Sequence, residues 1–180
     1  MYAVASLLNL TADKQTRDLW RLLENSCGLS GISMTPLPHF SWQAAVDYDA
    51  SSAQAALKEL AEKIGPFNTR TAGLGMFTGQ APVLYLTVVK NERLFKIHKM
   101  IWDTLEPFSS NISNFYSTEL WIPHITIAYK DLNPTNFSCV VKDLLLVPLD
   151  VEILIDNVTL LYHIEDEVGI KNQFYLIGKD

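Results

Sequence analysis

Apolar residues along the chain recur with two spacings, period two for strands and period 3.6 for helices, and the order of those spacings repeats. Residues 2–8 read as a strand. Thr11 then caps a helix that places Leu19, Trp20, Leu22, Leu23 and Cys27 on one stripe, and Gly28 and Gly31 end it. The stretch MTPLPHFSWQ predicts a short strand entered through prolines. Ser51 and Gln54 form a capping box for the next helix, whose buried stripe is Ala53, Ala56, Leu57, Leu60, Ala61 and Ile64. Gly65-Pro66 stops it. A long hairpin follows over about 67–78 and 81–90, turning near Gly79-Gln80. Within it GLGMFTG lacks the Lys-Ser/Thr ending of a phosphate loop and reads as a bulged strand and turn.

The pattern then recurs. A helix runs from Glu92 to Glu106 with Leu94, Phe95, Ile97, Ile101, Trp102 and Leu105 apolar, and a strand carries IPHITIAY. Asn133 and Pro134 fit N-cap and N1 of a further helix with Phe137, Val140, Val141, Leu144 and Leu145 inward. Strands near 150–163 and 173–178 finish the chain. Strand, helix, strand, helix, strand thus appears twice. That order predicts an α+β fold in a single bilobal domain over residues 1–180. Its two pseudo-symmetric lobes, about 1–80 and 81–180, each hold an antiparallel sheet with flanking helices.

Charge and composition narrow the function. The net charge of −6, from 14 basic and 20 acidic residues, argues against gripping long nucleic acid by counterion release. A local pocket for one or two phosphates stays open. Cys27 and Cys139 are far apart and in no ligand-like spacing, so they read as buried thiols of a reducing compartment. The start MYAVASLLNL lacks a basic leader, and the apolar run from Leu144 to Tyr162 carries Asp150, Glu152 and Asp156. The expectation is a soluble, cytoplasmic monomer without a membrane segment.

The chemistry concentrates in two matching pentapeptides, PHFSW at 38–42 and PHITI at 123–127. Residues i and i+2 of a strand share a face. His39 and Ser41 therefore point one way while Phe40 and Trp42 point the other, and His124 and Thr126 stand likewise against Ile125 and Ile127. By the same alternation Gln43 and Ala128 extend the histidine faces, and Tyr129 turns away. A lone histidine beside a hydroxyl residue is more often a satisfied core group than a catalyst. Two in matching context, one in each half of the chain, favour a functional role over a structural one. His98, on an apolar helix face, reads as packed; His163, entering the acidic turn IEDE, reads as surface. No Gly-x-Ser-x-Gly elbow, P-loop or metal-spaced histidine pair is present in the sequence.

Paired His-x-Ser/Thr motifs in a chain of this size resemble those of the two-histidine (2H) phosphoesterase superfamily, which includes 2′-5′ RNA ligase-like proteins and cyclic nucleotide phosphodiesterases. The resemblance implies a central cleft faced by both motifs and metal-independent, cofactor-free chemistry at a 2′,3′-cyclic or 2′-5′ phosphodiester. His39 and His124 would then be the catalytic acid and base, which imidazoles suit near neutral pH. Ser41 and Thr126 would bind the phosphate oxygens. Gln43, Tyr116 and Trp121 are further candidate substrate contacts. Many RNA-acting members carry a basic residue just after the second motif, where this chain has Tyr129-Lys130. The substrate expected is therefore a small nucleotide or a short RNA end. Two alternatives stay open: a non-catalytic nucleotide- or RNA-end-binding module on the same fold, and an interaction protein whose histidines are structural.

Overall fold

In the computed structural model of the chain, described over residues 1–164 and 167–179, the period-two segments become strands and the period-3.6 segments helices. The order is β1 (Tyr2–Leu7), α1 (Leu10–Cys27), β2 (His39–Tyr48), α2 (Ala50–Lys63), β3 (Phe67–Phe77), β4 (Val83–Val88) and α3 (Glu92–Leu105). Then come β5 (Ser109–Ile112), β6 (His124–Tyr129), α4 (Pro134–Leu144), β7 (Glu152–Ile155), β8 (Asn157–Ile164) and β9 (Glu167–Tyr175). The strand pairings are antiparallel. β9 begins earlier than the apolar pattern indicated, and β5, polar and short, has no signal in that pattern. Glu165 and Asp166 of the acidic turn lie outside the described residues.

Helix ends follow local chemistry, with two shifts from expectation. α4 starts as the sequence indicates, with Asn133 and Asn136 in a reciprocal capping box and Pro134 in the first turn. α2 is capped instead by Asp49, whose carboxylate accepts the Ser52 N–H at 2.9 Å. α1 begins after Asn9 rather than at Thr11 and closes on Gly28 in the left-handed region. On α4 only Val140 and Leu144 of the expected inward stripe are buried, while Phe137, Val141 and Leu145 are exposed. The predicted bulge in β3 is present: the register shifts between Thr71 and Leu74, with Gly73 at φ 85°.

The strands form two sheets, ordered β5-β2-β1-β8-β9 and β6-β4-β3-β7. Helices α2 and α3 pack on the first, α1 packs on the second, and α4 packs against α1. This is the α+β, two-lobed architecture that the element order predicts. The lobes do not divide near residue 80, however. β3 belongs with β4, β6 and β7, and the chain returns at β5, β8 and β9 to complete the sheet begun by β1 and β2. Burial explains the return: Val158, Leu160 and Leu161 of β8 are nearly inaccessible beside Val4 and Ala5 of β1, which an edge strand in the second lobe would leave uncovered.

The cysteines correct a second expectation. Cys27 at the end of α1 and Cys139 in α4 are bonded to each other, with Cα atoms 5.7 Å apart across 112 residues of sequence. They are half-buried and not free thiols. Among the described residues no helix is long and apolar enough to cross a membrane.

Candidate active site

The two motifs are built alike. Each is pinned to its neighbouring strand through the proline carbonyl, Leu8 N–H donating to Pro38 O at 3.1 Å and Val88 N–H to Pro123 O at 3.0 Å. Each imidazole is then held by the carbonyl two residues back: His39 Nδ1 lies 2.6 Å from Leu37 O, and His124 Nδ1 lies 2.7 Å from Ile122 O. A carbonyl can only accept, so Nδ1 carries the proton in both rings and Nε2 is left for chemistry. A tryptophan fixes each hydroxyl residue in turn. The indole N–H of Trp121 donates to Ser41 O at 2.9 Å, and that of Trp20 donates to Thr126 O at 3.1 Å. Two elements far apart in sequence thus supply the same support to the two strands.

A matched irregularity follows the hydroxyls. Opposite β1, Ser41 faces Ala5 and Gln43 faces Val4, so Trp42 is an extra residue in β2. Opposite β4, Thr126 faces Tyr85 and Ala128 faces Leu84, so Ile127 is an extra residue in β6. Such a bulge re-aims the side chains beyond it. Trp42 and Gln43 both turn into the interior, as do Ile127 and Ala128. Ala44 and Tyr129 come back to the cleft.

The cleft runs between the sheets as a cavity of about 180 Å³ that opens to solvent. His39, Ser41, His124 and Thr126 line it together, with Tyr116, Trp20 and Tyr129 beside them. The Tyr116 phenol shares this lining with the Ser41 side chain. His124 is braced from outside by Phe77 and Tyr85, whose ring centroids each lie 5.0 Å from its own. Burial lowers the pKa of both imidazoles below the ordinary histidine value, and for His39 the neighbouring His124 adds to the effect. Burial likewise raises the Tyr116 phenol, which is neutral. On its own the cleft therefore presents two neutral imidazoles and neutral hydroxyl donors.

Placement differs from the sequence reading at several positions. Gln43 does not reach the cleft: the bulge buries it, and its Oε1 accepts the Tyr48 hydroxyl at 2.8 Å. Trp121 is buried and supports Ser41 from behind instead of meeting a ligand. Tyr116 lines the cleft. Tyr129, which simple alternation turns away, lines it too. His163 lines its outer end rather than standing apart on the surface. His98 is packed, stacked on Trp121 at 3.8 Å with its Nε2–H donating to Tyr116 O at 3.0 Å. No local pattern marks Trp20 or Trp121 as supports, because each acts on a strand about a hundred or eighty residues away.

Comparison with known proteins decides the family. The sequence model of the 2′-5′ RNA ligase superfamily matches residues 14–167. The chain belongs to the 2′-5′ RNA ligase superfamily. It is also 25% identical over 146 residues to "Putative phosphoesterase OB1230" of Oceanobacillus iheyensis, covering 79% of this chain and 81% of that one. Among solved structures it resembles TT0787 of Thermus thermophilus (TM-score 0.71, 16% identity, 99% of both chains). It also resembles Escherichia coli LigT complexed with 3′-AMP (TM-score 0.64, 14% identity, 97% of this chain and 96% of that one). At these identities the structural likeness shows a shared fold of paired antiparallel sheets.

Proposed function

We propose that this superfamily member is a metal-independent phosphoesterase that hydrolyses a 2′,3′-cyclic or 2′-5′ phosphodiester of a nucleotide or RNA end. The observation that carries the reading is the pair of imidazoles on different sheets, facing one cleft, each with Nδ1 committed to a carbonyl and Nε2 free. In-line displacement at phosphorus needs a base for the attacking water and an acid for the departing alkoxide, on opposite sides. One imidazole Nε2 takes the water proton as the new P–O bond forms. The other gives its proton to the ribose oxygen as the old P–O bond breaks, leaving a phosphomonoester. Ser41 and Thr126 donate to the non-bridging oxygens, whose charge grows in the transition state.

Electrostatics supports the same division of labour. Burial keeps both imidazoles neutral before substrate arrives, which readies one as a base. The arriving phosphodiester anion favours the protonated form of the other, so the acid is charged by the substrate it serves. A small nucleotide or a short RNA end suits the cleft and the chain's net charge of −6.

The test is turnover of the four nucleoside 2′,3′-cyclic monophosphates and a 2′-5′-linked dinucleotide in EDTA, with products resolved by chromatography. Hydrolysis to a nucleoside 2′- or 3′-phosphate is expected. Binding of these compounds without hydrolysis would overturn the reading in favour of a nucleotide-end-binding module.

A further inference from the structure

We propose that Tyr129 is a phosphate-contacting residue, its phenol joining Ser41 and Thr126 as an uncharged donor to the non-bridging oxygens. The inference rests on the phosphoesterase reading above and deepens it. The bulge at Ile127 is what brings Tyr129 to the cleft, three residues beyond Thr126 on the same lining face. The matched bulge at Trp42 brings Ala44 to the corresponding place on β2. One side of the phosphate position therefore offers a phenol and the other a methyl group, so the pseudo-symmetry is broken where a ligand sits.

Three neighbours define what Tyr129 does there. It lines the cleft together with Tyr116 and Ser41, and it adds to the effects that raise the Tyr116 phenol. Ser41, Tyr116 and Tyr129 thus bring three hydroxyl-bearing side chains to the cleft that holds the imidazoles. Lys130, the next residue, does not line the cleft; it is exposed, with a positive φ of 70° that turns the chain, and its ammonium rests on the Tyr129 ring 4.9 Å from the centroid. Among the described residues no lysine or arginine side chain lines the cleft. The Met1 ammonium, at the outer end, donates to His163 O at 3.1 Å. A phosphate seated between the histidines is therefore met by neutral O–H donors, and Tyr129 supplies the one that the strand motif itself does not contain.

Close packing holds the backbone that carries the phenol. Gly31, in the segment between α1 and β2, lies so near the Tyr129 carbonyl that an added Cβ would stand 2.1 Å from it. The Gly31 N–H also donates to the Asp131 carboxylate at 2.6 Å. The backbone carrying Tyr129 is thus held against the Gly31 segment before ligand arrives.

Calorimetric titration of adenosine 2′-monophosphate and of adenosine into wild type and Tyr129→Phe provides the test, because binding is read whether or not the protein turns over. Tyr129→Phe keeps the ring and removes only the donor. A hydrogen bond to a charged oxygen predicts nucleotide affinity at least about tenfold weaker in the variant, with adenosine affinity unchanged. Equal nucleotide affinity in the two proteins would overturn the proposal. So would equal weakening for nucleotide and adenosine, which would place the phenol against base or sugar. A wild type that binds the nucleotide but hydrolyses nothing would sink the phosphoesterase reading while leaving the phosphate contact decided by the same affinity ratio.

Discussion

Acidification should destabilise this protein through a histidine buried away from the cleft. His98 on α3 has no accessible surface, stacks on Trp121, and donates through Nε2 to the Tyr116 carbonyl. Burial drives its pKa from 6.5 down to about 4, with the Lys90 ammonium as a smaller contributor. The folded state therefore binds its proton less readily than the unfolded chain. Stability from neutral His98 is fully present above pH 6.5 and is lost as pH falls from 6.5 towards 4. At about 1.4 kcal/mol per tenfold change in proton affinity, the whole loss is about 3 kcal/mol, and about 2 kcal/mol has gone by about pH 5. That is a sizeable share of the 5–15 kcal/mol, roughly, that separates a folded domain from its unfolded chain. Urea unfolding followed by tryptophan fluorescence at about pH 7.5 and 5 would read it as a midpoint shift of about 1 M. His98→Phe keeps a ring on Trp121 but cannot titrate, so its stability should fall by about 2 kcal/mol less over the same interval. His39 and His124 are also lowered by burial, and they remain in both proteins and cancel in the comparison. Equal losses in wild type and His98→Phe would refute the reasoning.

Three further outcomes follow from the same geometry. Because both motif imidazoles are lowered by burial, kcat/KM for a cyclic nucleotide should peak below pH 6.5 and decline towards pH 8, roughly, as the free enzyme loses its acid; a maximum above about pH 7 would contradict this. Replacing both Cys27 and Cys139 by serine should cost about 2–5 kcal/mol in urea unfolding, since the bond closes a 112-residue separation. An unchanged midpoint would show that the bond constrains nothing. Gly31→Ala should destabilise by about 1–3 kcal/mol and lower turnover, because its Cβ would meet the Tyr129 carbonyl at 2.1 Å; wild-type stability and rate together would show that this approach is not needed.

What could be read from the sequence, and what could not, divides along a physical line. The facing of His39 with Ser41 and of His124 with Thr126 was legible because strand alternation is local and holds up to the hydroxyl. It fails one residue later, where an extra residue enters each strand. Gln43 is buried and Tyr129 exposed to the cleft for that single reason. The residue types at 42 and 127, Trp and Ile, are ordinary strand formers and give no warning. Asn133 and Pro134 were legible as a helix start because a cap acts within one turn. The Cys27–Cys139 bond, the indole supports of Trp20 and Trp121, and the return of β8 to the first sheet span from 80 to more than 100 residues. Periodicity carries no information over that distance. The repeat of element order correctly implied two similar sheets, yet sheet membership was settled by burial of β8 against β1.

The most direct test of the two-histidine account is kcat/KM for a nucleoside 2′,3′-cyclic monophosphate in EDTA, measured for wild type, His39→Ala, His124→Ala and the double variant. Acid and base acting in one displacement predict that each single variant loses about 10²–10⁴-fold. They also predict that the double variant loses little more than the worse single one, since either removal already disables the pair. A single variant that keeps its rate within about threefold of wild type, at unchanged fold, would mean that its imidazole is structural and that the paired mechanism is wrong.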